Sequence, residues 1–454
     1  MRVDLLVAEI GSTTTVVNAF NLGPCPSFIG QGQAPTTVEE GDVNIGLKSA
    51  IEDLANNLGK NHIEYHDLIA TSSAAGGLRM TVHGLVYDMT VRAAKEAALG
   101  AGANIKYITA GKLRNSDLEK IKKIKPNIIL IAGGVDYGER DTALYNSELI
   151  ASLNLNIPVI YAGNIENHHE VKEIFKNKKS ELYIVENVYP KIDQLNIEPT
   201  RKVIQEVFEK NIIHAPGMER VRDMVTGPIM PTPGAVMEAS KLLYEEMGDL
   251  MTIDVGGATT DVHSVTEGSE EISRILINPE PLAKRTVEGD LGVYVNMLNI
   301  VDMVGKDELV KELNILAEEL ENLLENNKPI PESQLEKEFI EKLTLHAVLT
   351  AVNRHAGRLR HLYGPSGKKT LAEGKDLTSV KAIIGTGGAL TRLPNRVEIL
   401  RQIALRAKGD ELLPNKEARI FIDNQYIMAS LGVMSRKYPH EALKLLKDTL
   451  KYDE

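Results

Sequence analysis

The sequence predicts an α/β fold built from two similar halves. The composition is aliphatic, with no Trp, six Phe, 36 Gly and 43% hydrophobic residues, which is typical of sheets covered by helices. Strand-like runs precede helical stretches, as in Leu68 to Ser72, then Leu78 to Val86, then an Ala-rich segment from Thr90 to Leu99. One segment also recurs, since residues 8–17 align with residues 253–262. Both copies predict a strand, an acidic residue, a Gly turn and a Thr-rich second strand.

Composition and charge exclude several classes of protein. A chain of 454 residues predicts two or three domains. Its only cysteine, Cys25, permits no internal disulfide, four-cysteine cluster or zinc ribbon, and favours a reducing compartment such as the cytoplasm. The net charge of -11 argues against nucleic acid or an anionic membrane as partner. We also expect no transmembrane segment, because no apolar run approaches about 20 residues, and no cleaved signal in Met1 to Glu9.

A second pair of segments supports the duplication. Residues 128–134 and 382–388 both predict a buried strand that ends in Gly-Gly. The Pro- and Gly-rich stretch 216–233 predicts the connection between the halves, with Thr232 as the N-cap of the helix that follows. We therefore expect a first domain over 1–233, with an α/β insertion, and a second over 234–454.

The second half is expected to contain a helical subdomain over about 292–362, because Leu residues recur there at helical spacing with Glu on the other face. Pro329 and Pro331 should interrupt it. Two further helices are predicted over 425–450, separated near Pro439. This tail can return to the first half.

The duplicated segments predict two phosphate loops. A hairpin turn exposes successive backbone amides, which form an anion-binding nest, and glycine lets a polyphosphate approach the backbone. A carboxylate before each loop, Glu9 or Asp254, can reach Mg²⁺ through water, as expected for a cation held mainly by phosphates. The predicted phosphate-binding residues are Gly11, Ser12, Thr13 and Thr14 in the first half and Gly256, Gly257, Ala258, Thr259 and Thr260 in the second.

Two further motifs complete the predicted site. The flat turn formed by Gly385, Thr386, Gly387 and Gly388 suits an adenosine lying against the backbone. We expect Gly387→Val to weaken nucleotide binding more than it destabilises the fold. Glu288, Gly289 and Asp290 open the helical subdomain, where their carboxylates can contact ribose hydroxyls or polarise water, or can simply form a solvated turn. The candidate catalytic residues are Asp254, Asp261 and Glu288.

These features resemble the superfamily of actin, the heat-shock chaperone ATPases and the sugar kinases. That resemblance covers nearly the whole chain and implies two duplicated ribonuclease-H-like halves with ATP bound between them. The chain more narrowly resembles the glutamate mutase accessory family, called GlmL or MutL, which is unrelated to the mismatch-repair protein of the same name. The motifs that carry this resemblance are residues 72–80, 131–134, 158–164, 284–292 and 354–358.

The family resemblance implies an ATP-dependent reactivating or assembly factor for an adenosylcobalamin-dependent mutase. ATP or ADP with Mg²⁺ would be the cofactors, hydrolysis would change the angle between the domains, and mutase subunits or a second copy of the chain would be the partners. No cobalamin site is assigned to this chain. Glu9 departs from the superfamily, which more often has Asp there. A small-molecule kinase with Asp261 as base stays open as an alternative, and a filament-forming protein is a further option.

Two weaker signals remain. Asp261 to Thr266 nearly matches the D-x-H-x-x-G motif that offers a histidine to cobalt, but it lacks the glycine, so we interpret His263 as structural. A basic cluster, Arg354, His355, Arg358, Arg360 and His361, is predicted at one helix end. It either caps the helix dipole or contacts the nucleotide or an acidic partner.

Overall fold

The computed structural model describes residues 1–11, 14–38, 40–74, 78–212, 217–364, 367–405 and 409–452. The strands are β1 Arg2–Ile10, β2 Thr14–Asn21, β3 Ser27–Pro35, β4 Glu64–Ser72, β5 Arg79–Gly84, β6 Asn104–Ala110, β7 Ile128–Ile131, β8 Val159–Tyr161, β9 Leu182–Ile184, β10 Ile229–Pro231, β11 Leu250–Val255, β12 Thr260–Val265, β13 Ala283–Glu288, β14 Arg358–Gly364, β15 Gly367–Glu373, β16 Ala382–Thr386 and β17 Arg419–Ile422. The helices are α1 Val43–Asn57, α2 Arg92–Gly100, α3 Asn115–Ile124, α4 Asp141–Ser152, α5 His168–Phe175, α6 Glu198–Asn211, α7 Thr232–Met247, α8 Glu270–Ser273, α9 Met297–Val304, α10 Lys306–Leu313, α11 Ala317–Glu325, α12 Gln334–His355, α13 Gly387–Arg392, α14 Arg396–Leu405, α15 Met428–Met434 and α16 Pro439–Leu450.

The chain forms two compact units. The first comprises Met1–Ala239 and Ala429–Leu445, and the second comprises Ser240–Met428 and Leu446–Glu454. The division therefore falls inside α7 rather than at the predicted boundary 233/234, because Pro and Gly in the first turn of a helix do not interrupt it. The predicted second domain also wrongly included α15. Its Gly432 packs so closely on α7 that an added Cβ would lie 2.5 Å from the carbonyl carbon of Ala235.

Each unit contains a five-stranded sheet of the same design. In the first unit the order is β3-β2-β1-β4-β10, and in the second it is β13-β12-β11-β16-β17. In each sheet the first three strands along the chain are antiparallel neighbours. The last two strands lie on the other side of the first strand and are parallel to it. Numbered within each unit, the strand order is 3-2-1-4-5, which is the ribonuclease-H-like arrangement. The prediction of a duplicated α/β fold of this type is confirmed.

The second repeat was aligned wrongly. Residues 128–131 form β7 of a separate sheet, whereas the counterpart of β16 is β4, because each lies parallel beside the first strand of its own unit. The register shows the equivalence: Glu9 lies beside Thr71, and Asp254 lies beside Thr386. Both β7 and β16 are buried parallel strands followed by Gly-Gly, so sequence alone does not separate them.

The predicted α/β insertion is a fully parallel sheet with the order β6-β5-β7-β8-β9. Numbered along the chain, this is 2-1-3-4-5, the flavodoxin-like doubly wound order. Its inner strands β5, β7 and β8 are mostly buried, whereas the outer strands β6 and β9 are only partly buried. The inserted domain lies between β4 and β10 of the first unit.

The helical subdomain is formed by α9, α10, α11 and α12. Helix α12 begins at a capping box in which Ser333 Oγ accepts from the amide of Glu336, and it ends at His355. The chain then turns at Gly357, whose added Cβ would lie 2.6 Å from the carbonyl oxygen of Glu373. The predicted helical end at 362 is therefore wrong, since β14 pairs there with β15.

The basic cluster is divided by this change of structure. Arg354 and His355 lie in the last turn of α12, whereas Arg358, Arg360 and His361 lie on β14. Arg360 pairs with Glu373, and His361 Nε2 lies 3.3 Å from an Asp410 carboxylate oxygen. In the described part of the chain, no helix combines the length and apolar character needed to cross a bilayer.

Candidate functional site

The two predicted phosphate loops are hairpin turns of the same geometry. The Gly256 amide donates to the Thr259 carbonyl at 2.9 Å between β11 and β12, and the Gly11 amide donates to the Thr14 carbonyl at 3.0 Å between β1 and β2. Each turn follows a strand whose second-last residue is acidic, Glu9 in β1 and Asp254 in β11, as the duplication predicts. Ser12 and Thr13 lie outside the described residues.

The loop of the second unit is anchored through its carbonyl groups. Gly256 accepts from Val293, Gly257 accepts from the amides of Tyr294 and Val295, and the Asn296 side chain donates to Ala258 at 2.7 Å. By contrast, the amides of residues 257–259 donate no hydrogen bond within the described part of the chain. The loop is therefore held from one side and offers three donors, which is the arrangement of an anion-binding nest.

A cleft of about 690 Å³, counting its open mouth, begins at this loop. It joins the phosphate loop of the second unit to the start of α13 and to the helical subdomain. The lining residues are Val255, Gly256, Gly257, Val293, Tyr294, Lys328, Pro329, Ile330, Pro331, Lys337, Ile340, Gly388, Ala389, Arg392 and Leu393.

The Gly-rich turn after β16 divides into residues that face the cleft and residues that pack the core. Gly388 lines the cleft, and an added Cβ there would meet nothing within 4 Å. Gly387 has a φ of 86°, and its added Cβ would lie 2.5 Å from the carbonyl oxygen of Val255. Gly385 faces the core, where an added Cβ would approach Leu400 to 2.8 Å. Gly385 and Gly387 are therefore required by packing and backbone conformation, and the adenosine assignment rests on Gly388.

Below the loop lies a buried charged cluster. Asp254 pairs in register with Asp261 on β12 and with Thr386 on β16. Burial, together with the charge of Asp261, raises the pKa of Asp254 to about 7, and Arg285 opposes this shift. Burial also raises the pKa of Asp261, although its carboxylate lies 3.3 Å from Arg285 Nη2.

These contacts separate the two predicted catalytic aspartates. Asp261 is only 4% exposed and is bound to Arg285. Asp254 is half-buried at the end of β11, directly before the phosphate loop. Asp254 is therefore the more accessible of the two carboxylates, and its role at a phosphate or metal ion stays a prediction, whereas Asp261 neutralises Arg285 in the interior. Thr386 is held by Asp423, to which its hydroxyl donates at 3.0 Å.

Glu9 occupies the equivalent position in the first unit but has different neighbours. It is buried, and its carboxylate accepts from the hydroxyl of Ser430 at 2.6 Å and from the amide of Ser430 at 3.1 Å. Asn18 also approaches it at 3.5 Å. Its role at a metal site stays a prediction, and these donors already stabilise the ionised carboxylate without a cation.

The predicted ribose motif is bound by an arginine. Arg354 Nη1 lies 2.6 Å from Glu288 and 2.8 Å from Asp290, and its Nη2 lies 3.0 Å from the second oxygen of Asp290. The pairing holds the pKa of Asp290 below its usual value. The Asn296 side chain joins Gly289 to the phosphate loop by donating to the carbonyls of both Gly289 and Ala258. Arg354 thus neutralises this turn, and roles for Glu288 and Asp290 in ribose binding or catalysis stay predictions.

Thr260 and His263 lie inside the unit. The Thr260 hydroxyl donates to the Leu291 carbonyl at 2.6 Å and so fixes the end of the loop rather than facing the cleft. His263 is 0% exposed on the central part of β12, and burial lowers its pKa well below the usual value. An imidazole in this position cannot reach a cofactor in solvent.

The sequence did not predict the cleft wall contributed by the helical subdomain. Tyr294 lies against Gly257, where an added Cβ would approach it to 3.3 Å. Lys337 makes no ion pair in the described part of the chain, and Lys328 pairs with Glu332 at the exposed rim. Arg392 lies over the Tyr426 ring at 5.9 Å. The only sequence signal for this wall is the break at Pro329 and Pro331, which places an irregular segment beside the cleft.

Among the described residues, no group of three or more His, Cys, Asp or Glu side chains is arranged to hold a metal ion. The residues present fit a cation that is held mainly by the phosphates of a bound nucleotide. Mg²⁺ is commonly held by one or two carboxylates together with substrate phosphates, and Asp254 supplies one carboxylate beside the phosphate loop.

Comparison with known proteins gives the relationship of the chain. Two solved structures resemble it weakly. Nucleotide-free acetone carboxylase is 12% identical, with a TM-score of 0.42, and the match covers 95% of this chain and 70% of that chain. Nucleotide-free diol dehydratase-reactivating factor is 10% identical, with a TM-score of 0.39, and the match covers 96% of this chain and 100% of that chain. Neither likeness bears on function. The curated Protein MutL of Clostridium tetanomorphum is 35% identical over 457 residues, which covers 98% of each chain. The model of the MutL protein family matches residues 5–450. The chain therefore belongs to the MutL protein family, as its resemblance to the glutamate mutase accessory proteins predicted.

Proposed function

We propose that this chain binds ATP and ADP with Mg²⁺ and acts as a cytoplasmic, chaperone-like accessory factor that reactivates or assembles an adenosylcobalamin-dependent mutase. One observation carries the nucleotide part of the proposal: a single cleft of the second unit joins an anion-binding nest to a Gly turn that has open space above it. These are the two surfaces that a nucleotide requires, one for its phosphates and one for its base.

The residues of the cleft divide the work of binding. The free amides of residues 257–259 face the phosphates, and the terminal ammonium of Lys337 adds a mobile positive charge. Gly388 leaves room for the base to lie flat on the backbone, while Tyr294 and Ile340 supply apolar contact on the opposite wall. Backbone donors lose little conformational entropy on binding, because Asn296 and the segment 293–295 already fix the loop.

A bound Mg²⁺ would neutralise charge on the phosphates and polarise the bond that is hydrolysed. Asp254 is the residue of the second unit that we assign to this ion, directly or through water. Its raised pKa, about 7, means that the uncharged acid is well populated near neutral pH. A cation close to this carboxylate favours its ionised form, so we expect metal binding to release a proton from Asp254.

Family membership supports the accessory role, since the relative named Protein MutL matches the chain over nearly its whole length. Coupling of ATP hydrolysis to reactivation requires that the ATP and ADP states bind the mutase with different affinity. The kinase alternative needs a base beside the γ-phosphate. The sequence candidate for that base, Asp261, is buried with Arg285, so no feature of the described residues favours a kinase.

The proposal is tested by a reactivation assay with glutamate mutase that has been inactivated during turnover. Activity should return when this protein, Mg-ATP and fresh adenosylcobalamin are supplied together, and it should not return with a non-hydrolysable ATP analogue. A protein that phosphorylates a metabolite in stoichiometric amount and has no effect on the mutase would contradict the proposal and establish the kinase.

A further inference from the structure

The inserted domain exposes an apolar surface at one edge of its sheet. The loops that follow β5, β7, β8 and β9 leave the sheet at the same edge, because the strands are parallel. Each of these loops carries a large apolar side chain in solvent, and the most exposed are Tyr137 at 79% and Ile192 at 69%. We call this surface the carboxyl-edge patch, and it consists of Val86, Tyr87, Tyr137, Ile165 and Ile192.

Hydrogen bonds between the loops hold this patch in place. One carboxylate oxygen of Asp136 accepts from the Ile165 amide at 3.0 Å and from the Asn187 side chain at 2.9 Å, and the Asp136 amide donates to the Pro190 carbonyl at 2.9 Å. The Asn164 side chain accepts from the amide of Tyr137 at 3.2 Å. Loops from three strands are thus joined, so Tyr137, Ile165 and the segment that carries Ile192 lie on one preformed platform.

The platform accounts for two sequence motifs that the nucleotide site does not use, residues 131–134 and 158–164. Gly134 has a φ of 71°, and an added Cβ would overlap the carbonyl group of Glu139. An added Cβ at Gly163 would lie 2.9 Å from the backbone of Gly133. Tyr137 itself has a φ of 61°, which is a strained conformation for a bulky residue. These residues shape loops that present an aromatic ring to solvent.

A doubly wound sheet usually binds a small molecule in the crevice where its strand order reverses, which here lies between β5 and β7. Leu85 and Ala143 border that crevice, since an added Cβ at Gly133 would lie 3.5 Å from the Leu85 Cβ and 3.4 Å from the Ala143 Cβ. The carboxyl-edge patch consists of other residues, whose side chains lie in solvent on the loops, so a macromolecular surface suits the patch better than a metabolite.

Charge around the patch defines the chemistry of the partner. All five strands of the inserted sheet are parallel, so the segments that follow them at this edge are 85–91, 111–114, 132–140, 162–167 and 185–197, and they contain six acidic residues and four basic ones. The acidic residues are Asp88, Asp136, Glu139, Glu166, Glu186 and Asp193, and the basic ones are Lys112, Arg114, Arg140 and Lys191. Arg140 is already paired with Glu170. A second copy of the chain placed on this patch by a two-fold axis would set acidic rim against acidic rim, which is unfavourable.

We infer that the carboxyl-edge patch docks a protein whose contact surface has an apolar centre surrounded by Lys and Arg. An exposed apolar patch rimmed by polar residues marks an interaction site, and an aromatic anchor at its centre is the residue type that contributes most to protein interfaces. The identity of this protein as the mutase rests on the proposed function; the chemistry of its surface does not.

The experiment measures binding of the full chain to recombinant glutamate mutase subunits by surface plasmon resonance, with ADP titrated in parallel. Tyr137→Asn introduces a residue type that tolerates the positive φ at this position, and Ile192→Ser changes a side chain that lies in solvent. Both variants should therefore fold. Each is expected to weaken mutase binding at least ten-fold while ADP affinity is unchanged. Glu166→Lys should also weaken binding, and added salt should reduce the affinity of the wild-type chain. Leu316→Ser is the matched control, because Leu316 is also 69% exposed but lies in the second unit.

The possible failures are distinguishable. If the wild-type chain binds the mutase and both patch variants bind equally well, the inference is overturned and the proposed function stands. If the wild-type chain binds no mutase subunit in any nucleotide state, the proposed function fails and the mutase as occupant fails with it. A patch variant that changes only the self-association of the chain, measured by light scattering, would assign the patch to a second copy and contradict the inference.

Discussion

Gly388→Val is expected to weaken nucleotide binding at least ten-fold while leaving the protein folded. Gly388 lines the cleft of the second unit, and an added Cβ at this position meets no heavy atom within 4 Å. The new side chain therefore stands in the space that we assign to the base rather than in the core. Because Val has a better helix propensity than Gly, the first turn of α13 should tolerate it.

The neighbouring glycine provides the comparison from which the magnitude follows. Gly387 has a φ of 86°, and an added Cβ would lie 2.5 and 2.6 Å from the backbone oxygen and nitrogen of Val255. A left-handed residue other than glycine costs about 1 to 2 kcal/mol, and the overlap with the Val255 backbone adds to this. Gly387→Val should thus destabilise the protein by at least about 2 kcal/mol, against a change within about 1 kcal/mol for Gly388→Val. This reverses the expectation that sequence alone gave for Gly387.

Two measurements on each variant test this reasoning: the urea midpoint of unfolding and calorimetric titration with ADP. Gly388→Val should keep the wild-type midpoint and lose at least ten-fold in affinity, about 1.4 kcal/mol. If Gly388→Val binds ADP with the wild-type affinity, the base does not lie over this turn. If it unfolds as readily as Gly387→Val, the space above Gly388 is not the open cleft that the structure describes.

Three further predictions concern buried charge and the metal. Asp254→Asn should reduce Mg-dependent ATP hydrolysis to background while circular dichroism stays native; hydrolysis at the parental rate would exclude Asp254 as the metal-associated residue. Arg285→Met leaves Asp261 buried without its counter-charge and should cost about 3 to 5 kcal/mol in urea unfolding, whereas Arg274→Met at an exposed pair should cost less than about 1 kcal/mol. Burial lowers the pKa of His83 from 6.5 to about 4, so the unfolded state binds the proton more tightly and stability should fall by about 2 kcal/mol between pH 7 and pH 5. His83→Gln should remove that part of the pH dependence, and an unchanged slope would show that His83 does not cause it.

The hairpins and the duplicated sheet were predictable because their signals are local. An acidic residue, a Gly turn and a Thr-rich strand occur within ten residues in each copy, and strand periodicity extends over both. The error at residues 128–131 has a physical origin. A buried parallel strand is apolar throughout and carries no mark of the sheet to which it belongs. Only the pairing of β4 with β1 identifies the true repeat.

The candidate site was predicted in part for a related reason. Backbone nests are visible in sequence as Gly and Thr, so the loop 256–259 was found. The opposite wall is built by ordinary residues such as Tyr294, Lys337 and Ile340, which become neighbours of the loop only through tertiary packing. The carboxylates of Glu288 and Asp290 similarly looked available until Arg354, more than sixty residues away in the chain, was found between them.

Photoaffinity labelling with 8-azido-ADP tests the central claim most directly, because it reports where the base lies in the full chain. Mapping of the labelled peptides should place the crosslink in residues 289–296, 328–340 or 388–393, the segments that wall the cleft of the second unit. Excess ADP should prevent the labelling, and Gly388→Val should strongly reduce it while Leu316→Ser labels as wild type. ADP-protected label found only in peptides outside these segments, or no protected label on folded protein, would contradict the assignment of the nucleotide site.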